Sequence, residues 1–291
     1  MLEKRWTAIL GTAAVLLTLV IHFSSRPSEL LKLAVYHCTP QLLGIAGPME
    51  PDVYQRPWSK RDPASTPLIA ALSTGCFEVA DQMVRDGMQL SGPFTSEKVR
   101  APLHWAVRAR DDRALSWLLL QDSALDGIDY NGDTALYEAI IFGNRPAFEA
   151  LLSAGAKLLP EGVPLEKSPM LQVLVHPDGT WLDRALSIAE SEALSFHTWC
   201  PLVFWLSGVT ERTLESVEML VSRGATVGCR NQEGLLVMEV AAEAQSLEVL
   251  HRLLKVHPPL RSVDRDRIDR VLRERDTAKI IQLFRDWQGA L

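Results

Sequence analysis

The sequence predicts an all-α protein in which about five to six helix-turn-helix units stack into one array behind a single transmembrane helix. Three observations carry this. A short anchor, Pro-Leu in its commonest form, returns at Pro67, Pro102, Ala135, Pro169 and Pro201 with spacings of 35, 33, 34 and 32 residues, and a fixed period of a few tens of residues marks a repeat architecture. Sixteen residues past each of the first three anchors stands an apolar pair, Met83-Val84, Leu118-Leu119 and Leu151-Leu152. Ahead of all this, eighteen residues from Trp6 to Phe23 carry no charge.

Taken in chain order, residues 1–5 form a short flank with Lys4 and Arg5, expected to stay in the cytoplasm. Residues 6–23 would span roughly 27 Å as a helix, close to the thickness of a bilayer core. A cleaved secretory signal is the competing reading. It needs a shorter apolar centre and a small-x-small site, whereas the run ends Ile21-His22-Phe23-Ser24-Ser25. Lys4 and Arg5 outweigh Glu3 on the leading side, which favours an array outside the cytoplasm, although Arg26 and Lys32 on the far side make the bias small.

Residues 24–62 read as a short amphipathic helix, SELLKLAVYH over 28–37, followed by a linker broken by Pro48, Pro51, Pro57 and Pro63. The repeats occupy residues 63–257. Where Thr or Ser precedes a first helix it caps that helix by accepting a backbone N–H, and Pro at the first helical position stands where its missing donor costs nothing. Glycine after the second helix supplies the left-handed residue that stops it, as in Ala154-Gly155-Ala156. One unit alone leaves most of its apolar side in water, so the units must stack. Residues 258–291 alternate charges with Ile268, Val271, Leu272, Ile280, Ile281 and Leu283, which suits capping helices with a polar outer face.

These motifs resemble the ankyrin-repeat family, whose units run turn, Thr-Pro-Leu-His helix, leucine-rich second helix and Gly-Ala. Unit two keeps APLHWAV and WLLL, unit three keeps NGDTALYEAI and ALLSAGA, and unit five keeps PLVFW and MLVSRGA. Units four and six diverge: HPDGTWLDRALSIAE replaces the leucine run and Gly-Ala of unit four, and Val237-Met238 stands where unit six should have Pro-Leu. The resemblance covers residues 60–257 and implies an ankyrin-repeat solenoid. Together with the leading apolar run it resembles membrane-anchored ankyrin-repeat proteins of bacteria. It also implies that His104 is structural and hydrogen-bonds the neighbouring turn.

Composition narrows the function. The chain has 291 residues, 47% of them hydrophobic, and a formal charge of −6. That is ample for a buried core, and the scattered basic residues argue against a nucleic-acid partner. Four cysteines, Cys38, Cys76, Cys200 and Cys229, contain no CxxC pair, which speaks against zinc. They allow three disulfide pairings, among which a bond from Cys38 to one of the others is the one to test. Cys76 and Cys200 otherwise read as small apolar filler.

Neither GxSxG nor a Gly-rich phosphate loop occurs. His251 and His257 are six apart, which does not place both on one helix face. A hydrolase built into residues 159–200 would have only His176, Asp178 and His197 to work with, and Asp178-Gly179 reads more simply as a turn. No catalytic residue, cofactor, metal or small-molecule substrate is expected.

Arrays of this family bind proteins through the concave surface formed by turn tips and first helices. The resemblance places Trp105 and Arg108 of unit two, Glu138, Ile141 and Phe142 of unit three, Gln172 and His176 of unit four and Phe204 of unit five at exposed first-helix sites. Asp129, Tyr130, Asn131, Arg230 and Asn231 fall at turn tips. Aromatic and arginine side chains anchor most interfaces, which singles out Trp105, Phe142, Tyr130 and Arg108. Two functions fit a tethered array: an immunity-type inhibitor that captures a toxic effector, or a scaffold that assembles or regulates an envelope complex.

Overall fold

A computed structural model describes residues 27–45, 54, 66–90, 101–121, 123–176 and 178–191, with single positions and short runs between 216 and 285. The expected span at 6–23, Phe204, Cys200, Cys229 and His197 lie outside the described residues. Among the described residues no helix is long and apolar enough to cross a membrane.

The regular structure is helical. In order come α1 (Pro27–His37), α2 (Gln41–Ile45), α3 (Pro67–Ser73), α4 (Phe77–Arg85), α5 (Pro102–Ala109), α6 (Asp112–Leu120), α7 (Ala135–Ile141), α8 (Arg145–Ser153), α9 (Pro169–Val175) and α10 (Thr180–Ser191). Isolated antiparallel bridges join Ile128 to Thr134 and Arg230 to Leu236. The chain divides into two compact units, Met1–Val163 and Pro164–Leu291.

In the first unit four helix pairs follow one another, α1 with α2 through α7 with α8, and each first helix lies beside the next. One turn is used four times. The backbone N–H groups of Thr39, Cys76, Asp111 and Asn144 donate to the carbonyls of Ala34, Ala71, Ala106 and Ala139 at 2.9, 2.8, 3.1 and 2.8 Å. Just before each donor stands a left-handed residue, Cys38, Gly75, Arg110 or Gly143, with φ of 50, 75, 54 and 60°. The four alanines are buried. Residues 27–45 therefore hold the array's own turn, ahead of the first Pro-Leu anchor.

Local chemistry explains the helix starts. Thr66 and Thr134 hydroxyls accept from the Ile69 and Tyr137 N–H groups at 3.2 and 3.1 Å. Unit two has Ala101 at this position and no side-chain cap. The second helices are capped by Asp111, which accepts from Ala114 N–H at 3.0 Å, and by Asn144. Buried Asn144 also donates from Nδ2 to the Val107 carbonyl at 2.8 Å, tying one unit to the previous one. Loss of a threonine cap costs about 1 kcal/mol. Thr134→Ala is expected to lower stability by about that much in urea unfolding, with the slope unchanged.

Between the capped ends, Leu68, Leu72, Met83, Val107, Leu118, Leu136, Ile140, Phe148 and Leu151 fill a continuous core. Covalent linkage adds to it. Cys38, in the α1–α2 turn, is bonded to Cys76, with Cα atoms 5.1 Å apart. Cys76 is thus half of a disulfide, which corrects its reading as apolar filler. Tyr54 is buried and donates its hydroxyl to Asp86 Oδ2 at 2.7 Å. Burial, then that hydrogen bond, pushes the phenol well above its ordinary range.

In the second unit α9 packs on α10. Met170, Leu171, Leu174, Trp181, Ala185 and Leu186 are buried, so divergent unit four still forms a helix pair. Ser168 caps α9 by accepting from Leu171 N–H at 3.2 Å. At the sixth unit Leu236 takes the cap position, and its N–H donates to Glu239 Oε2 at 2.6 Å. A carboxylate one turn on thereby takes up a backbone donor at the helix start.

Candidate binding surface

The surface is built on α5, α7 and the turn between α6 and α7. On α5, Trp105 and Arg108 are one helical turn apart. On α7 and its C-cap, Ile141 and Phe142 follow Glu138 at spacings of three and four. The two helices lie side by side, and Arg108 joins them. Its Nε donates to Glu138 Oε1 at 2.8 Å and its Nη2 donates to the same oxygen. Nη2 lies 3.8 Å from Asp129 Oδ2. The guanidinium also sits over the Phe142 ring, 5.0 Å from its centroid, at the separation of a cation–π contact.

Arg108 keeps 24% of its side-chain surface in water, whereas Glu138 keeps 2% and Asp129 none. The hydrogen bond to Glu138, and then the charges of Glu138 and Asp129, hold the guanidinium protonated against its partial burial. Two buried carboxylates thus depend on one half-buried cation.

Asp129 also shapes the turn. Its Oδ1 accepts from the N–H groups of Asn131 and Asp133 at 2.8 and 3.1 Å, and Oδ2 accepts from Asn131 Nδ2 at 3.3 Å. Gly132 N–H donates to the Asp129 carbonyl at 2.9 Å, and its φ of 78° closes the turn. His104 on α5 reaches the Asp133 carbonyl from Nε2 at 2.8 Å, so that nitrogen carries the proton. Buried His104 is therefore a structural clip to the neighbouring turn. Held by His104 and Arg108, the turn presents Tyr130 and Asn131 to solvent in a fixed pose. Such preorganisation lowers the ordering cost of binding.

Carboxylate oxygens of Asp129, Asp133 and Glu138 lie within 4.8 Å of one another. Arg108 supplies the cation there, and backbone and side-chain N–H groups already use both Asp129 oxygens. The arrangement is an ion-pair network rather than a metal cage.

The other expected contact residues divide cleanly. Tyr130, Asn131, Ile141 and Phe142 are exposed and Trp105 is half-buried. Glu138, expected at the surface, is buried because it pairs with Arg108. His176 and Arg230 belong to the other compact unit. His176 accepts from Asp178 N–H at Nδ1, 3.1 Å away, and its ring lies 5.0 Å from that of Trp181. Arg230 donates from Nη1 to the Gly234 carbonyl at 2.6 Å.

Asp178 is a helix cap, accepting from Thr180 N–H and Oγ1 at 3.0 and 2.8 Å. Those hydrogen bonds hold its carboxyl below the usual range. Of the residues put forward for a hydrolase, His176 and Asp178 are thus hydrogen-bonded within a turn. Two contributors escaped the sequence. Ile128 is exposed beside Tyr130 in the turn, and its signal was a second apolar residue in a polar loop. Arg110 donates from Nη2 to the Phe142 carbonyl at 2.6 Å, holding the end of α7.

Replacing Arg108 with Met removes the guanidinium that pairs with Glu138 and leaves that carboxylate buried. Breaking a fully buried pair costs 3–5 kcal/mol, so with a half-wet guanidinium a loss of about 2 kcal/mol is expected. The double change Arg108→Met with Glu138→Leu should recover most of it, measured as a double-mutant cycle in urea.

Residues 103–152 match the family model of ankyrin repeats. Among solved structures, one similar chain comes from the Bd0816 predatory endopeptidase of Bdellovibrio bacteriovorus in complex with immunity protein Bd3460. It is 20% identical over 66% of this chain and 98% of that one, with a TM-score of 0.49. The human ASB11 ankyrin repeat domain is 18% identical over 77% of this chain and 84% of that one, with a TM-score of 0.32. No curated protein matches the chain.

Proposed function

Starting from a chain whose residues 103–152 are ankyrin repeats, we propose a non-catalytic protein-interaction module that binds its partner through Trp105, Tyr130, Ile141 and Phe142. One observation carries the reading. Exposed aromatic and aliphatic side chains stand on a turn and a helix that His104 and Arg108 lock in place. A rigid scaffold presenting apolar anchors with a polar surround is what a protein interface requires.

The module is tethered to a membrane by residues 6–23, with the repeats outside the cytoplasm. The Cys38–Cys76 disulfide supports that compartment, since such bonds persist where the surroundings are oxidising. A tether raises the effective concentration for anything arriving at the bilayer. Within this reading the partner is a toxic effector protein that the module captures and inhibits. An envelope scaffold is the alternative.

The test is co-expression of the full chain with each toxin-like protein encoded beside it, followed by capture from detergent extracts. Rescue of growth and recovery of the toxin on the full chain, both lost with Phe142→Ala, is the expected result. Capture of resident membrane proteins with no effect on toxicity would favour the scaffold. Activity that survives Phe142→Ala and Trp105→Ala but is lost with His176→Ala would point to catalysis.

A further inference from the structure

We propose that the α1–α2 end of the first unit rests on the headgroup layer of the bilayer, with Tyr36 as its interfacial contact, an inference that rests on residues 6–23 being a membrane span. Chain length provides the first argument. Helix α1 begins at Pro27, and only Ser24, Ser25 and Arg26 separate it from the last residue of the apolar run. The four Cα–Cα steps from Phe23 to Pro27 reach about 14 Å when fully extended. The polar layer on each side of a bilayer is roughly 5–8 Å thick. The start of α1 therefore lies among the headgroups or within about 10 Å of their outer edge.

A flexible stalk could still let the repeats swing clear, but α1 is not a stalk. It packs on α3 and buries Leu30, Leu31, Ala34 and Val35. Its far end is fixed by Cys38–Cys76. The helix that leaves the membrane is thus itself the first helix of the repeat stack, covalently fastened to the next pair, and the body of the first unit follows it to the surface.

The outward stripe of α1 suits that position. Glu29, Lys32 and Tyr36 recur at helical spacing and are exposed, Tyr36 most of all at 83%. Glu29 and Lys32 pair at 3.1 Å, so the stripe carries no net charge. A tyrosine has an apolar ring and a polar tip, which favours the membrane–water boundary, and a lysine stem can lie along apolar surface with its head in water. Contact through this stripe should therefore be indifferent to the charge of the lipid. The binding surface of the first unit would then work against partners that arrive at the membrane.

The full chain in vesicles of phosphatidylethanolamine, with and without phosphatidylglycerol, gives the test. A photo-reactive phenylalanine analogue replaces Tyr36 or, as a control, Ser116, which is exposed on α6. Roughly tenfold more lipid adduct at position 36 than at 116, equal in both lipid mixtures, is expected for a side chain held at the interface. Equal adduct at both positions, while an alkaline wash leaves the chain with the vesicles, overturns the proposal and spares the tether. Adduct at 36 to protein in place of lipid also overturns it. Release of the chain by the alkaline wash refutes the tether and this inference with it.

Discussion

Removing the Cys38–Cys76 disulfide is expected to destabilise the first unit by about 4 kcal/mol, the figure that loop-closure entropy assigns to a loop of this size. The bond closes 38 residues, which include the proline-rich segment between α2 and α3. Without it the unfolded chain regains the freedom to separate the α1–α2 pair from α3–α4. Pair α1–α2 has a second helix of only five residues and therefore depends on its neighbour more than any other.

The double change Cys38→Ser with Cys76→Ser isolates the effect, because a serine hydroxyl at position 76 can donate to the Val35 carbonyl, 3.3 Å from the present sulfur. Thermal unfolding of the variant beside the oxidised protein should show a midpoint lower by roughly 10 °C, from the usual conversion for a unit of this size. Equal midpoints would mean that packing alone holds the first pair.

Tyr130→Ala and Phe142→Ala are each expected to weaken partner binding by about 2 kcal/mol or more, roughly thirtyfold, as interface anchors do. Thermal stability should change little at Tyr130, 56% exposed, and by no more than about 1 kcal/mol at Phe142, 43% exposed. Phe142→Ala has the further effect of removing the ring beneath the Arg108 guanidinium. The informative comparison is Leu120→Ala. Leu120 is 86% exposed at the end of α6, a second helix, and its loss should leave affinity within a factor of about two, as for residues outside the anchor set. Titration calorimetry with the captured partner separates these outcomes.

Most of the fold was legible because the repeat writes itself into local chemistry. Thr66, Thr134 and Ser168 announce helix starts, and Leu118 and Leu151 announce the second helices. The first pair was harder to see. Cys38 takes the left-handed turn that Gly75 and Gly143 take elsewhere, and α2 is too short to show a period. Its membership rests on a backbone hydrogen bond from Thr39 to Ala34, which no residue identity encodes.

Exposure was legible in outline: the family resemblance put Tyr130, Ile141 and Phe142 at exposed positions, and they are exposed. It failed for Glu138, whose burial depends on Arg108 reaching across 30 residues of chain to pair with it. Ion pairs between stacked helices follow from three-dimensional register, and helical spacing within one element cannot supply it.

Amide hydrogen exchange of the full chain with and without its captured partner tests the central claim most directly. Slowed exchange over 128–134 and 138–143, with α6 and α8 unchanged, is the predicted footprint of binding through the locked turn and the α7 face. Protection confined to α6 and α8, with Tyr130 and Phe142 left as open as in the free chain, would place the partner on the other side and contradict it.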